Sequence, residues 1–251
     1  MSEVSDNQAY CRDVVKDGAP ERFMVALFEQ KHHQRVIFAL LAFNLELAKT
    51  RDVVSEPMLG EIRLQWWQEA VEGIIEGNVR KHPIVEELAE AIEQINVSIL
   101  YELINLRRVE LTSVGGENIK DIIAHAEKLG RTLHLLLVTA VNDEVPETVE
   151  EDIKDISAAW SLAGLVRVIQ NEDFNASTKE EALATILPMA EGYMEKVKIR
   201  TKKAPKAFLP AYLYYWMARS ELKSIARGNT EPLTKLRLMA IVLWRSVFPT
   251  L

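Results

Sequence analysis

The chain has very few cysteines: Cys11 is the only one in 251 residues. A single thiol cannot form an internal disulfide, and it excludes zinc sites that need several thiolates. Glycine and proline are also scarce, at 10 and 9 residues. Because both interrupt helices, their scarcity favours long helices over a loop-rich fold.

Positive charge is in short supply as well. The chain has 30 Lys and Arg residues against 37 Asp and Glu, a net charge of -7. A general nucleic-acid binder needs a basic surplus to neutralise phosphates, so we expect no nucleic-acid partner. The longest apolar run, residues 36–43, is far shorter than the roughly 20 residues that cross a bilayer as a helix. The opening MSEVSDNQAY resembles no targeting segment, which predicts a cytoplasmic protein.

Apolar residues recur every three or four positions through almost the whole chain, which predicts an all-α fold. The predicted helices cover residues 6–16, 21–30, 32–54, 59–76, 84–94, 97–111, 118–141, 148–172, 189–202, 206–225 and 233–247. Prolines stand at the breaks between them, as at His82-Pro83. No linker or repeat is visible, so residues 1–251 are interpreted as one domain. The helices at 32–54 and 118–141 are apolar around much of their circumference, which predicts a central position in a bundle that can enclose a cavity.

Two polar side chains interrupt the apolar helix at 32–54. Asn44 and Glu46 both follow the run at 36–43, and a buried carboxylate needs a partner or a raised pKa. Arg63, on the next predicted helix, is the natural partner for Glu46. Two interpretations stay open: a structural ion pair that joins two helices, or polar groups that line a cavity.

The segment FALLAFNLELAKTRDVVSEPMLGEIRLQWW, which ends at Trp67, resembles the opening motif of the squalene and phytoene synthase family. Further likeness lies in GNVRKHPIVEEL, in AWSLAGLVR and in Ile186-Leu187-Pro188, so that the resemblance covers nearly the whole chain. It implies a single isoprenoid-synthase-like helical bundle with a central cavity.

The resemblance also shows which metal ligands this chain has lost. Active members of the family carry two aspartates four residues apart, which hold Mg²⁺ against a substrate diphosphate; here these positions are Ala48 and Asp52. The second motif of the family, Gln, Asn, Asp and Asp, is replaced by Gly164, Arg167, Asn171 and Asn175. Asp52 and, after a shift of register, Asp173 are the remaining weak metal candidates. We therefore expect no metal and no other cofactor.

Within the family, the pattern resembles a non-catalytic branch that contains a mitochondrial complex I assembly factor and bacterial relatives. The resemblance implies a catalytically degenerate accessory or assembly factor that binds a hydrophobic ligand, isoprenoid or lipid, or a membrane-protein partner. The alternative is an active Mg²⁺-dependent prenyl transferase that joins two prenyl diphosphates head to head. The candidate cavity or ligand residues are Asn44, Glu46, Asp52, Arg63, Trp67, Arg167, Asn171 and Asn175.

A basic run, EKVKIRTKKAPK, stands out at residues 195–206 and leads into the aromatic stretch AFLPAYLYYWMA. One interpretation is a solvated helix end with favourable dipole interactions. The other is a weak membrane-surface patch, because cations beside aromatic residues suit the interfacial zone of a bilayer. The candidates for that patch are Lys198, Arg200, Lys202 and Lys203, which would place the protein peripherally at the inner face of a membrane.

Overall fold

The computed structural model describes residues 6–54, 56–112, 118–171, 176–229, 231 and 233–251. Within these ranges the chain forms α-helices joined by short segments, and it forms no β-strand beyond one isolated bridge, Lys203 to Thr250. The helices are α1 Asp6–Gly18, α2 Pro20–Ala26, α3 Gln34–Val53, α4 Pro57–Ile75, α5 Pro83–Glu90, α6 Val97–Thr112, α7 Ile119–Thr139, α8 Glu147–Asn171, α9 Ala176–Arg200, α10 Leu209–Ala226 and α11 Lys235–Val247. The all-α prediction is confirmed.

The predicted ends at residues 30 and 94 each lie four residues beyond the ends of α2 and α5, and the start of α9 shows the largest error. The sequence predicts a start at Met189, after Pro188, whereas α9 begins at Ala176 and Pro188 lies inside it. Proline removes one helical hydrogen bond and usually ends a helix. Here the buried residues keep a helical spacing on both sides of the proline, at Ala182, Ile186, Ala190, Met194 and Val197. Packing of this continuous apolar face against α8 keeps the helix intact.

The chain divides into two compact units, and the first comprises Met1–Gly116 with Leu136–Glu144. Its central element is α3, which packs against α1, α2, α4, α5 and α6. All eight residues at 36–43 are buried, as the sequence predicts for a helix that is apolar all round. Most of the other helices of this unit therefore lie around α3.

The second unit comprises Glu117–Leu135 with Val145–Leu251. Its most buried helix is α10, which packs against α8, α9 and α11. The prediction of a central position for the helix at 118–141 is wrong, because the first half of α7 exposes Lys120, Asp121, Ala124 and Lys128. The single-domain interpretation and the central cavity stay predictions. No helix in the described ranges is long and apolar enough to span a membrane.

Gly73 allows the end of α4 to meet the turn that follows it. Asn78 donates a backbone hydrogen bond to the carbonyl oxygen of Gly73 at 2.7 Å, and a Cβ at Gly73 would lie 2.6 Å from the carbonyl oxygen of Asn78. Because a backbone atom cannot move aside cheaply, Gly73→Ala should lower the free energy of unfolding by about 1–3 kcal/mol. Gly192→Ala is the control: it has open space within α9 and should raise stability by about 0.5–1 kcal/mol. Equilibrium denaturant unfolding of both variants checks this, and a Gly73→Ala protein as stable as wild type would contradict it.

Candidate functional site

A groove of about 510 Å³ lies in the first unit between α3, the first half of α4 and the segment that precedes α5. We call it the α3–α4 groove. Its lining residues are Glu46, Val53, Val54, Leu59, Ile62, Arg63, Trp66, Trp67 and His82. Three of the residues predicted as ligand candidates, Glu46, Arg63 and Trp67, therefore meet at one site.

The polar end of the groove is the predicted ion pair. Arg63 Nη2 lies 2.9 Å from Glu46 Oε2, and Lys49 Nζ lies 2.7 Å from the other carboxylate oxygen. The Glu46 side chain is 12% exposed and the Arg63 side chain 39%. The Nε atom of Arg63 is buried and has no hydrogen-bond partner among the described residues. The pair joins α3 to α4, as the structural interpretation predicts, and it also lines the groove. Ligand binding by these residues stays a prediction.

Aromatic rings form the inner wall of the groove. Trp67 is buried and meets the rings of Phe43 and His82 edge to face, at centroid distances of 5.4 and 5.2 Å. Trp66 is half-buried and lies against Trp67 and His82. The Arg80 guanidinium stacks over Trp66 at 5.3 Å and pairs with Glu69 at 2.7 Å, which fixes the segment before α5 onto α4. These contacts join the wall of the groove to both α4 and the segment before α5.

His82, which the sequence predicts only as part of a helix boundary, holds one edge of the groove. Its Nδ1 accepts a hydrogen bond from the backbone N–H of Ile84 at 3.2 Å and so caps α5. Burial lowers the pKa of His82, and the nearby Arg63 lowers it further, whereas Glu46 acts in the opposite direction. Since Nδ1 accepts this hydrogen bond, the proton of a neutral His82 ring lies on Nε2. A histidine directly before a proline at a helix start was the sequence signal for this cap.

The mouth of the groove is apolar and open to solvent. Val53, Leu59 and Ile62 are 60%, 48% and 61% exposed, and the adjacent Met58 is 72% exposed. Aliphatic side chains that cluster in this way on a surface mark ligand or partner sites more often than chance exposure does. The α3–α4 groove thus combines an apolar mouth, an aromatic wall and a polar end.

The part of α3 that the resemblance assigns to the metal site of the family offers only one carboxylate. Ala48 has no donor atom, and Asp52 is exposed in the last turn of the helix, next to Arg51. Lys49, one residue after Ala48, is held on the same helix by Glu46. Mg²⁺ demands several hard oxygen ligands in nearly octahedral geometry. The described residues also contain no group of three carboxylate, histidine or cysteine side chains placed to hold an ion. This donor set does not fit a diphosphate-bound Mg²⁺, and the absence of a cofactor stays a prediction.

Arg167, at the second motif, belongs to a buried ion pair in the second unit. Its Nε lies against Glu221 Oε1, and its Nη1 donates to the carbonyl oxygen of Asn229 at 2.6 Å. Glu221 also accepts the backbone N–H of Leu233 at 3.3 Å. Arg167 therefore ties α8 to α10 and to the segment before α11, and the structure places it in a structural pair and not in an open pocket. Asn171 ends α8, with its side chain outside the described part, and Asp173 and Asn175 lie outside the described residues.

Asn44 is also structural. It is buried, and its Oδ1 accepts a hydrogen bond from Arg107 Nη2 at 3.3 Å. Arg107 in turn pairs with Glu110 on α6 at 2.9 Å. Asn44 thus joins α3 to α6 and does not line the α3–α4 groove.

The basic run divides between structural and exposed residues. Arg200 pairs with Asp152 at 2.7 Å and with Asp155 at 2.6 Å, so it is not a free membrane cation. Lys198 lies 3.5 Å from Glu195, and Lys202 and Lys203 are exposed.

The interpretation of the aromatic residues that follow the basic run as membrane contacts is wrong. They lie in the core of the second unit because α10 is apolar all round, and the buried side chains are Tyr212, Tyr214, Tyr215 and Trp216.

Sequence reasoning also missed Asp152, the buried carboxylate that pairs with Arg200. Its side chain is fully buried and accepts hydrogen bonds from Arg200, from Thr201 and, at 2.7 Å, from the hydroxyl of Tyr212. Burial and the neighbouring Asp152 raise the pKa of Tyr212, so that its hydroxyl stays a donor. An acidic residue at a core position of a predicted helix was the sequence signal for this cluster. Its three partners are 48 to 60 residues away in the chain, so local patterns do not identify them.

The profile of the squalene/phytoene synthase family matches residues 15–179 of the chain. This protein belongs to the squalene/phytoene synthase family. A crystal structure of a dehydrosqualene synthase in complex with ligand superposes with a TM-score of 0.75 at 12% identity and covers 96% of each chain. Squalene synthase HpnC from Alicyclobacillus acidocaldarius gives a TM-score of 0.73 at 14% identity, over 90% of this chain and 95% of that one. These likenesses confirm the isoprenoid-synthase-like fold.

Several curated relatives carry the name NADH dehydrogenase (ubiquinone) complex I, assembly factor 6. The Homo sapiens protein is 26% identical over 199 residues, which is 76% of this chain and 57% of the relative. The Rattus norvegicus protein is 26% identical over 194 residues, or 74% and 54%. The Mus musculus protein is 31% identical over 144 residues, or 56% and 43%. The chain thus spans about half the length of the curated relatives it matches, and the predicted likeness to the assembly-factor branch is confirmed.

The pair of Glu46 and Arg63 should contribute modestly to stability. Because the Arg63 side chain is more than a third exposed and Lys49 remains as a second partner, we expect a coupling free energy of about 1 kcal/mol in a double-mutant cycle of Glu46→Gln and Arg63→Leu. The exposed Glu150–Lys154 pair on α8 is the control and should couple by about 0.3 kcal/mol. Equilibrium unfolding of the four proteins of each cycle measures both values. Additive effects of the Glu46 and Arg63 changes would contradict the observed contact.

Proposed function

We propose that this protein is a non-catalytic accessory factor in the assembly of respiratory complex I, and that the α3–α4 groove holds a hydrophobic segment of a complex I subunit. The main support for the proposal comes from helix α3. That helix has lost a donor at Ala48, one of the two metal positions of the family pattern, but it still forms one side of an open apolar groove. The names of the curated relatives support the same role.

Prenyl transfer from a diphosphate needs a device that neutralises the leaving group. In enzymes of this kind, Mg²⁺ ions and cationic side chains supply it. In this chain α3 offers only the exposed Asp52 beside Arg51, and Arg167 on α8 is already paired with Glu221. Among the described residues, the protein thus keeps the fold and lacks the ligand set of the transferase.

The groove has the features that a hydrophobic peptide segment requires. Exposed Val53, Leu59 and Ile62 can cover aliphatic side chains, and Trp66 provides an aromatic anchor. The pair of Glu46 and Arg63 at the other end can orient a polar group of the segment. A helix that lays its apolar face into a groove is a common mode of such recognition.

Two other readings remain chemically compatible with the chain. An isoprenoid or lipid chain would also fit an apolar groove with aromatic walls. An active Mg²⁺-dependent prenyl transferase is favoured by the family match over residues 15–179 and by the likeness to a dehydrosqualene synthase. The experiment below separates both from the assembly role.

Deletion of the gene in the parent organism should lower the amount of assembled complex I on native gels, and the wild-type gene should restore it. Ile62→Glu, which puts a charge in the mouth of the groove, should restore about a tenth or less of the assembled complex, since such a charge opposes apolar docking. Asp52→Asn should restore it fully, because the proposal gives Asp52 no catalytic role. Ile199→Glu is the matched control: Ile199 on α9 is 64% exposed and Ile62 is 61% exposed.

The same strains separate the three readings. Full restoration by Ile62→Glu would contradict the role of the groove. Failure of Asp52→Asn, with loss of a prenyl product from the cell extract, would support the transferase. A lipid or isoprenoid that copurifies with wild type and not with Ile62→Glu would assign the groove to a small hydrophobic ligand.

A further inference from the structure

The C-terminal helix α11 turns an apolar face to solvent. Leu236, Met239, Leu243 and Val247 follow one another at spacings of three and four residues and are 74%, 44%, 53% and 66% exposed. The opposite face, with Leu238 and Val242, is buried and packs toward α10. A surface helix normally exposes polar residues there. The outward stripe of α11 is therefore an unpartnered apolar face.

Positive charge surrounds this stripe. Helix α11 contains three basic residues and no acidic one. A groove of about 450 Å³ between α10 and α11 is lined by four cations, Arg219, Lys223, Arg237 and Arg245, and by no carboxylate. Two carboxylates of α9, Glu191 and Glu195, lie outside this groove and line a neighbouring one with Arg219 and Lys223. Glu221 is buried in its pair with Arg167, and Glu231 is exposed in the segment before α11. Among the described residues, none of the four cations forms an ion pair.

The position of two cations is unfavourable for the helix itself. Lys235 and Arg237 lie in the first turn of α11, where the helix dipole favours negative charge. Thr234 caps this end by accepting the backbone N–H of Arg237 at 3.3 Å. The two cations thus do not stabilise the helix, and an external anion would offset their cost.

The far end of the stripe combines aromatic rings with further lysines. Trp244 is 62% exposed, Phe248 is 50% exposed, and their ring centroids lie 4.6 Å apart. The C-terminal residues run beside the basic run, since Ala204 donates to the carbonyl oxygen of Pro249 at 2.9 Å and Leu251 to that of Lys202 at 3.1 Å. Lys202 and Lys203 are therefore neighbours of this end of α11. Tryptophan, phenylalanine and lysine side chains suit the interfacial zone of a bilayer.

We propose that α11 docks on an anionic phospholipid bilayer, with its apolar stripe among the acyl chains and with the α10–α11 groove against the lipid phosphates. The charge of the surface favours this occupant. Two copies of the chain would bring cation against cation, whereas the bilayer supplies the complementary anions along the whole helix. The exposed Trp244 and Phe248 favour a lipid interface over an acidic protein partner. This inference does not rest on the proposed function, and it moves the membrane-surface site from α9 to α11.

Sedimentation with vesicles tests the proposal. Wild-type protein should sediment with vesicles that contain phosphatidylglycerol and not with pure phosphatidylcholine. Lys223→Glu with Arg237→Glu should weaken binding by at least about tenfold, because each cation near an anionic surface changes affinity by about fivefold. Leu243→Ser with Val247→Ser should also weaken it by about tenfold, through lost apolar insertion. Lys154→Glu with Lys196→Glu makes the same charge change at another groove, between α8 and α9, and should leave binding unchanged.

The fluorescence of Trp244 reports which surface touches the lipid. Addition of anionic vesicles should shift the emission to the blue, as the indole leaves water. Trp244→Phe should lose most of this shift while it still sediments with the vesicles. All substituted residues are exposed, so circular dichroism and the melting temperature should match those of wild type and show that the variants fold.

Four results would overturn the proposal. The first is equal binding to neutral vesicles, and the second is an equal loss of binding in the variant with Lys154→Glu and Lys196→Glu. The third is release from vesicles by inorganic phosphate but not by chloride at the same ionic strength, which would assign the groove to a soluble anion. The fourth is a dimer in sedimentation velocity without lipid that Leu243→Ser with Val247→Ser dissociates, because a second copy would then cover the stripe.

Discussion

Burial of α3 constrains the rest of the first unit. Eight consecutive buried residues, 36–43, require partners on every side, and five helices supply them. The polar residues that follow on the same helix must then find partners from those neighbours. Asn44 finds Arg107 on α6, and Glu46 finds Arg63 on α4. The contact of Glu46 with Arg63 forms the polar end of the α3–α4 groove. The position of the candidate site therefore follows from the packing of helices around α3.

In the second unit, the buried polar residues pair with residues that are more distant in the sequence. Asp152 and Arg167 are both buried on α8, and each is satisfied by residues that lie about 50 positions later in the chain. An isolated buried charge would be far too costly, and removal of one partner would leave the other unpaired. These pairs join α8 to the end of α9 and to α10. Arg167, which the resemblance assigned to the second motif of the family, is part of the scaffold in this structure.

Local patterns predicted the helices and one contact of the site. The three- and four-residue spacing located the helices, and the adjacency of α3 and α4 in the chain made Arg63 a natural partner for Glu46. The partners of Asn44, Asp152 and Arg167 depend on distant segments, and a single sequence does not pair them. Pro188 was misread because its local preference for a helix boundary is overridden by packing against α8. The membrane interpretation of the aromatic stretch that contains Trp216 was wrong, because a helix that is apolar all round belongs in a core and this one is buried.

The central claim is that this member of the family keeps the fold of a prenyl transferase without its diphosphate chemistry. The most direct test is the release of diphosphate from farnesyl diphosphate by the purified protein, followed with and without Mg²⁺, beside an active squalene synthase as the positive control. The account predicts no release above the rate without protein, at any Mg²⁺ concentration. Saturable, Mg²⁺-dependent release that Asp52→Asn abolishes would contradict it.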